Sequence, residues 1–551
     1  MARAPAQPLS EAAQGKPRRP DAFWLACLGV VLTAAALRVA LLAAAAFPFN
    51  ADEAIVGLMG RHILAGERPI FFYGQAYLGS LDAALVAAAF RWIGETVLSI
   101  RVVQSILFLG IVLTTMWLAR SIGFSVLVCA LAGLLLAVPP VHVTLYTTVS
   151  LGGYGEALLL GNAILLLTLR LIRAPSSTWA YLLWGALAGF SAWVFGLTLI
   201  YSVPSGALLV LFALRRLGRG QAMRRIALAL VGSLLGAVPL LVWATLHGPG
   251  RLLSELFGSA IAGASPAQLP RALASHLLNL LLFGPTVALG VRPPWSAAPL
   301  NLWVAPIILL LWSAAIILGL RRDAWPATGQ VGRWLLVGPM VALLAGFVLT
   351  PFGADPSGRY FLPLMAPLVV IGAAGVQAAV RRSGRRWPLV LAGVVLAFNL
   401  WANLFVASRA PGFTTQFDVT TIFDHDHDAA LADFLLEQGA TTGYSTYWVA
   451  YPLAFLSQER LVYLPALPYH SDFRYTARDD RYPPYRAVVA VAANPAYITA
   501  RQPWLDDYLR SKFQSRGVTF QEATIGDYHV FYRLSRAMRP ADLGLGPEAA
   551  P

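Results

Sequence analysis

The chain has 551 residues, 58% of them hydrophobic and only 12% charged, and its mean hydropathy is +0.64; soluble domains carry roughly 25% charged residues, so the composition excludes a water-soluble globular protein. The formal charge of +14 comes from arginines in short loops at alternate ends of apolar runs, where they set membrane orientation, so a nucleic-acid partner is not expected. Cys27 and Cys129 both lie within apolar runs, which argues against a disulfide or metal framework.

Residues 1–21, with Pro5, Pro8, Pro17, Pro20 and the basic Lys16, Arg18 and Arg19, read as a disordered cytoplasmic tail. The apolar run near 22–46 is too long for a signal-peptide core and reads as a first membrane span containing Arg38. Further runs fall near 99–119, 123–140, 155–173, 178–195, 198–214, 226–246, 301–320, 334–350, 360–380 and 387–407. They give a polytopic α-helical membrane protein with about 11 transmembrane helices over 22–407, each run reaching toward the roughly 30 Å of a hydrocarbon core. The basic clusters Arg170/Arg173, Arg215 to Arg225, Arg321/Arg322/Arg333 and Arg381 to Arg386 fall on one side, the expected cytoplasmic one. With the N-terminus cytoplasmic, an odd number of spans places 408–551 outside. That segment alternates a polar helix near 428–438, a strand at Thr442–Ser445, apolar β-rich runs at Arg460–Leu464 and Ala487–Ala492, a helix near 503–516 and a strand at Tyr528–Leu534, which suggests a small α/β domain. No internal repeat of the kind that builds transporters is visible.

Polar residues without a role in orientation gather in the loops 47–98, 141–155 and 247–300. Asn50-Ala51-Asp52-Glu53 fits a capping box: Asn50 caps a helix ending at Gly66, and Glu53 reaches back to the cap amide. Asp52 has no part in the cap. The macrodipole stabilises negative charge in a first helical turn, so Asp52 is the candidate proton acceptor, with Glu53 beside it. Arg61, His62, Tyr73, Gln75 and Tyr77 follow as candidate substrate contacts, and then Leu81 to Ile93, an apolar helix too short to span and interrupted by Asp82 and Arg91, which reads as interfacial. Arg38 inside the first span and Glu156 at the start of another are costly at such depth and mark a cavity or a structural pairing. Arg359, followed by Tyr360, opens a span on the outer side, where a phosphate is its natural partner. The run Asp424-His425-Asp426-His427-Asp428 offers metal ligands, but Asp428 also suits a helix N-cap, and one short run fixes no coordination geometry.

An arginine-bearing span, an outer loop with an Asp-Glu pair, the stretch Phe71-Phe72-Tyr73-Gly74-Gln75-Ala76-Tyr77-Leu78-Gly79 and an interfacial helix together resemble the GT-C integral-membrane glycosyltransferases. Within them the likeness is to the dolichyl-phosphate-mannose protein mannosyltransferases and the aminoarabinose lipid A transferases; Gly152 to Gly161 and Gly358 to Pro363 look like family stretches too. The resemblance is strongest over about 30–170 and does not identify the C-terminal domain. It implies inverting transfer of a sugar, mannose by family frequency, from a polyprenyl-phosphate donor to an envelope glycan, lipid or protein acceptor on the extracytoplasmic face of the plasma (inner) membrane. It places the family's first-loop acid at Asp52. Because some GT-C enzymes use one, it leaves a divalent metal open, although the sequence shows no convincing ligand set. The main competing expectation is a transporter or flippase of lipid-linked sugars; a third is a non-catalytic envelope scaffold.

Overall fold

The computed structural model describes residues 21–548, apart from Ser176 and 262–268; the expected tail, Asp21 excepted, lies outside the described residues. Asp21 caps α1 (Ala22–Ala43) through its side chain, and Asn50 caps α2 (Ala51–Leu64) in the same way. A hairpin of β1 (Phe71–Phe72) and β2 (Gln75–Gly79) follows, then α3 (Leu81–Ile93), with the bounds expected of the interfacial helix. The bundle continues with α4 (Val97–Ile122), α5 (Val126–Ala137), α6 (Val141–Tyr146), α7 (Tyr154–Arg173), α8 (Thr178–Val194), α9 (Leu199–Arg216), α10 (Arg219–Gly236) and α11 (Val238–His247). After α12 (Pro249–Ile261), α13 (Leu269–Leu278) and α14 (Gly284–Ala288), it closes with α15 (Ala305–Gly319), α16 (Gln330–Leu349), α17 (Met365–Ser383) and α18 (Trp387–Ala407).

Among the described residues, seven helices are long and apolar enough to cross a membrane, and eight if α10 and α11, bent by 58°, count as one span. This is fewer than the eleven full spans expected. Three of the expected spans are α5, α8 and α15, of 12, 17 and 15 residues. At about 1.5 Å per residue, α5 rises about 18 Å; it starts after Gly123 in a left-handed conformation and stops before Pro139-Pro140. Helices α8 and α10 approach backbone to backbone: a Cβ added at Gly185 or Gly232 would meet a carbonyl oxygen of the other helix at 1.9 or 2.1 Å, the contact that small residues permit between membrane helices.

The basic loops share one end of the bundle, where Arg173 donates to Ile122 O (3.1 Å), Arg216 to Ile172 O (3.1 Å), and Arg382 pairs with Asp323. The other end carries residues 44–96 and the C-terminal domain. Phe413 N donates to Ala46 O (2.8 Å), and the Phe47 and Phe413 rings stack at 4.7 Å, pinning the linker after α18 to the first loop.

The domain contains α19 (Asp428–Glu437), β3 (Thr442–Ser445), α20 (Tyr447–Leu456), β4 (Val462–Pro465), β5 (Arg474–Tyr475), α21 (Pro484–Ala490), β6 (Ala496–Ala500), α22 (Pro503–Ser515), β7 (Gln521–Ile525), β8 (Tyr528–Tyr532) and β9 (Gly546–Pro547). Its main sheet has the order β4-β3-β6-β8-β7, parallel from β4 to β6 and antiparallel beyond. Alternate residues face opposite layers, as a pleated strand requires. Tyr497 and Phe531 pack with Phe513 of α22, while Ile498 and Val530 join Leu431, Leu435 and Leu453 of α19 and α20. The run Ala487–Ala492, expected to be β-rich, is mostly the helix α21: Pro484 sits in its first turn, where a missing N–H costs nothing. Asp428 is the first residue of α19 rather than its cap, which is His427.

Candidate functional site

Asp52 and Glu53 lie in the first turn of α2, and successive helical residues diverge by about 100°, so the two carboxylates face different surroundings. Glu53 is fully buried. It accepts from Arg101 Nε at 3.0 Å and Nη2 at 2.8 Å, and Arg101 Nη2 also donates to Pro48 O at 3.2 Å. Half of the expected capping box forms: Asn50 Oδ1 accepts from Glu53 N at 3.1 Å, but the Glu53 side chain is spent on Arg101 of α4 and does not return to the cap. Asp52 turns instead toward the C-terminal domain, where its Oδ1 accepts from the Tyr447 hydroxyl at 2.5 Å.

The groups around Asp52 come from both halves of the molecule. In the β1–β2 turn, Gly74 has φ +71°, and a Cβ there would lie 2.8 Å from Arg481 Cδ, so a glycine is what lets Arg481 lie against the hairpin. Arg481 Nη1 and Nη2 donate to the Gln75 side-chain oxygen at 2.7 and 2.9 Å, while the Gln75 amide nitrogen donates to Tyr77 Oη at 3.2 Å. The Arg481 guanidinium carbon lies 5.5 Å from the Tyr447 ring centre. Burial opposes the Arg481 charge, but Tyr447, Asp52, Tyr77 and Asp479 outweigh it and raise the pKa. Burial and the Asp52 carboxylate push the Tyr447 phenol well above its ordinary range, so it acts as a donor. Tyr469 receives a hydrogen bond from Tyr447 N (3.2 Å) and donates to Asp479 (3.0 Å), whose carboxyl burial pushes up to about 6.

Arg359, in the turn Arg359–Leu364, pairs with Asp355 at 2.6 Å and lies 5.1 Å from the Tyr360 ring centre; both Arg359 and Tyr360 are within electrostatic reach of Tyr77. Asp52, Gln75, Tyr77, Arg359 and Tyr360 thus gather at one place. The other candidates do not join them. His62 bridges Tyr73 Oη (2.9 Å) and Glu459 (3.0 Å), and Tyr73 and Tyr482 both donate to Glu67 at 2.7 Å, so His62 and Tyr73 belong to a seam that fastens α2 to the C-terminal domain. Arg61 joins the same seam through Glu95 at 2.8 Å and the Phe455 carbonyl at 3.2 Å. Glu156 is buried with Asp82 and Gln104 as neighbours. Asp82 accepts from Gln104 (2.8 Å) and Ser150, and burial pushes it up to about 6. Arg38 is buried within the bundle, donates to Thr147 O at 2.5 Å and to the Thr147 and Thr148 hydroxyls, and lies 3.9 Å over the Phe108 ring. The sequence reading missed Arg101, Tyr469, Asp479 and Arg481.

No group of three or more His, Cys, Asp or Glu among the described residues is placed to hold a metal ion. In the acidic run, His425 pairs with Asp428 at 3.1 Å, and Asp428 also accepts from Tyr528 Oη. Among the described residues, this run does not bring together a ligand set for a divalent ion.

No model of a known protein family and no curated protein matches the sequence. Solved structures match its shape. ArnT from Cupriavidus metallidurans bound to undecaprenyl phosphate aligns with a TM-score of 0.59 at 15% identity, over 93% of this chain and 98% of that one. The apo state of ArnT aligns with a TM-score of 0.57 at 14% identity, over 92% and 98%. The chain therefore has the fold of the ArnT structures, a polytopic helical bundle with a C-terminal α/β domain.

Proposed function

We propose that the protein is a glycosyltransferase that moves a hexose or pentose, mannose by preference, from a polyprenyl-phosphate donor to a hydroxyl of an envelope glycan, lipid or protein, with inversion at the anomeric carbon. The observation that carries this reading is Asp52, seated in a first helical turn, held through one oxygen by Tyr447 and surrounded by Gln75, Tyr77 and Arg481. The fold shared with ArnT, whose structure holds undecaprenyl phosphate, supports a lipid-phosphate donor. The acceptor oxygen attacks the anomeric carbon as its bond to the phosphate oxygen breaks; the hydroxyl proton passes to Asp52, and the bonding pair leaves with the polyprenyl phosphate. A phosphate is a weak base, so departure calls for cations rather than a strong acid, while the hydroxyl calls for one positioned base. With Glu53 engaged by Arg101, that base is Asp52. The basic end of the bundle is cytoplasmic in this reading, and the C-terminal domain lies outside the plasma (inner) membrane.

The test is transfer of label by purified protein in lipid nanodiscs from a panel of polyprenyl-phosphate sugars to envelope extracts. Covalent transfer with release of polyprenyl phosphate is expected. Movement of intact donor across a vesicle bilayer with no bond broken would instead make the protein a flippase.

A further inference from the structure

Among the arginines at or near the end of the bundle that carries the site, Arg38, Arg359 and Arg481 have their charges differently engaged. Arg38 spends its guanidinium on Thr147, Thr148 and the Phe108 face. Arg359 is held by the Asp355 carboxylate at 2.6 Å. Arg481 has no carboxylate partner within 4.0 Å among the described residues. Its two terminal nitrogens meet the neutral Gln75 oxygen, and its Nε is buried with no hydrogen-bond acceptor. A guanidinium whose Nε is closed off from water in this state has donor capacity left over, and a buried unmatched donor is costly unless a ligand completes it.

The position of Arg481 says which ligand. Tyr447 carries Asp52 on its hydroxyl and Arg481 against its ring, so base and cation flank one side chain. In an inverting displacement, the acceptor with its base and the leaving phosphate lie on opposite faces of the anomeric carbon, so the proton acceptor and the cation that binds the phosphate must stand on either side of one sugar. We infer that Arg481, from the C-terminal domain, is the residue that binds the donor's lipid-linked phosphate, so that the site is incomplete without that domain. This rests on the glycosyltransferase reading and adds to it the identity of the phosphate-binding cation. Gln75 and the ring of Tyr447 fix the guanidinium plane, and Gly74 supplies the clearance it needs. A planar fork presents paired donors to phosphate oxygens as an ammonium cannot.

The experiment measures binding of undecaprenyl phosphate and of undecaprenol, which lacks the phosphate, to the full chain in nanodiscs, for wild type, Arg481→Gln and Arg481→Lys. Thermal unfolding is followed in parallel. Arg481→Gln is expected to weaken undecaprenyl phosphate by about 10- to 100-fold, the worth of a hydrogen-bonded charge, and to leave undecaprenol unchanged. Arg481→Lys, which keeps the charge and so guards against a folding defect, is expected to lose about tenfold with an unaltered unfolding midpoint. Undecaprenyl phosphate binding within twofold of wild type in both variants overturns the assignment, as does an equal loss for both lipids. A wild-type chain that binds no undecaprenyl phosphate and transfers no sugar brings down the glycosyltransferase reading, and this assignment with it.

Discussion

The inner side of the first loop and its outer side are built from neighbouring residues of one helix turn and handle charge in opposite ways. On the inner side, Glu53 is closed off from solvent and neutralised by a two-pronged contact with Arg101, and Arg38 in the bundle is wrapped by threonines and a ring. On the outer side, Asp52 keeps an oxygen free of the Tyr447 bond, and Arg481 keeps its charge without an ion pair among the described residues. The lesson is that an ionisable side chain in a membrane protein is costly wherever it is buried, and what separates scaffold from chemistry is whether the protein itself completes its partners. At Glu53 and Arg38 the protein supplies the partners; at Asp52 and Arg481 they wait for a ligand.

Two variants sharpen this contrast. The larger effect is expected inside. Glu53→Gln leaves Arg101 buried without its counter-charge, and breaking a buried pair by removing one partner costs about 3–5 kcal/mol. A large fall in the unfolding midpoint is expected, together with near-normal turnover per folded molecule under conditions where the variant stays folded. An unchanged midpoint would show that the pair does not hold the loop.

A smaller effect is expected at Asp82. Its carboxyl is raised to about 6 by burial, above the roughly 3.9 of an unfolded chain. The folded state therefore binds the proton more tightly, and the stability this contributes is present below pH 4 and lost as pH rises through 6. Asp82→Asn has no such proton, so the midpoint of wild type relative to the variant should drop by a few degrees between pH 4.5 and 7. A gap that does not move with pH would place the carboxyl in a less confined setting.

How much of this was legible in the sequence differs between the same two sides. Asn50 before an apolar helical pattern announced α2, and an apolar run broken by Asp82 and Arg91 announced α3, because caps and periodicity are local signals. They also set Asp52 apart from its neighbour. Glu53 was misjudged as a cap partner because Arg101 lies inside an apolar run with nothing local to tie it to the loop. Arg481 was invisible for the same reason: its partner Gln75 is distant in sequence and meets it only when the C-terminal domain docks, through Phe455 against Gly57 and the bonds of Arg61 and His62 to the domain. The helix α21 was misread because Val488, Val489 and Val491 favour strands, a preference that tertiary context overrides. Three of the eleven expected spans form helices shorter than expected, because hydropathy does not reveal where Gly123 and Pro139 bound α5.

The central claim is that Asp52, not Glu53, takes the acceptor's proton, and the measurement that bears on it most directly is single-turnover sugar transfer by Asp52→Asn, read beside its unfolding midpoint. The asparagine keeps the size of the side chain and an oxygen for Tyr447 but cannot serve as the base. Transfer should fall by about 10²- to 10⁴-fold, the usual worth of general-base catalysis, with the midpoint and undecaprenyl phosphate binding close to wild type. A folded Asp52→Asn protein that transfers sugar at nearly the wild-type rate would contradict the account.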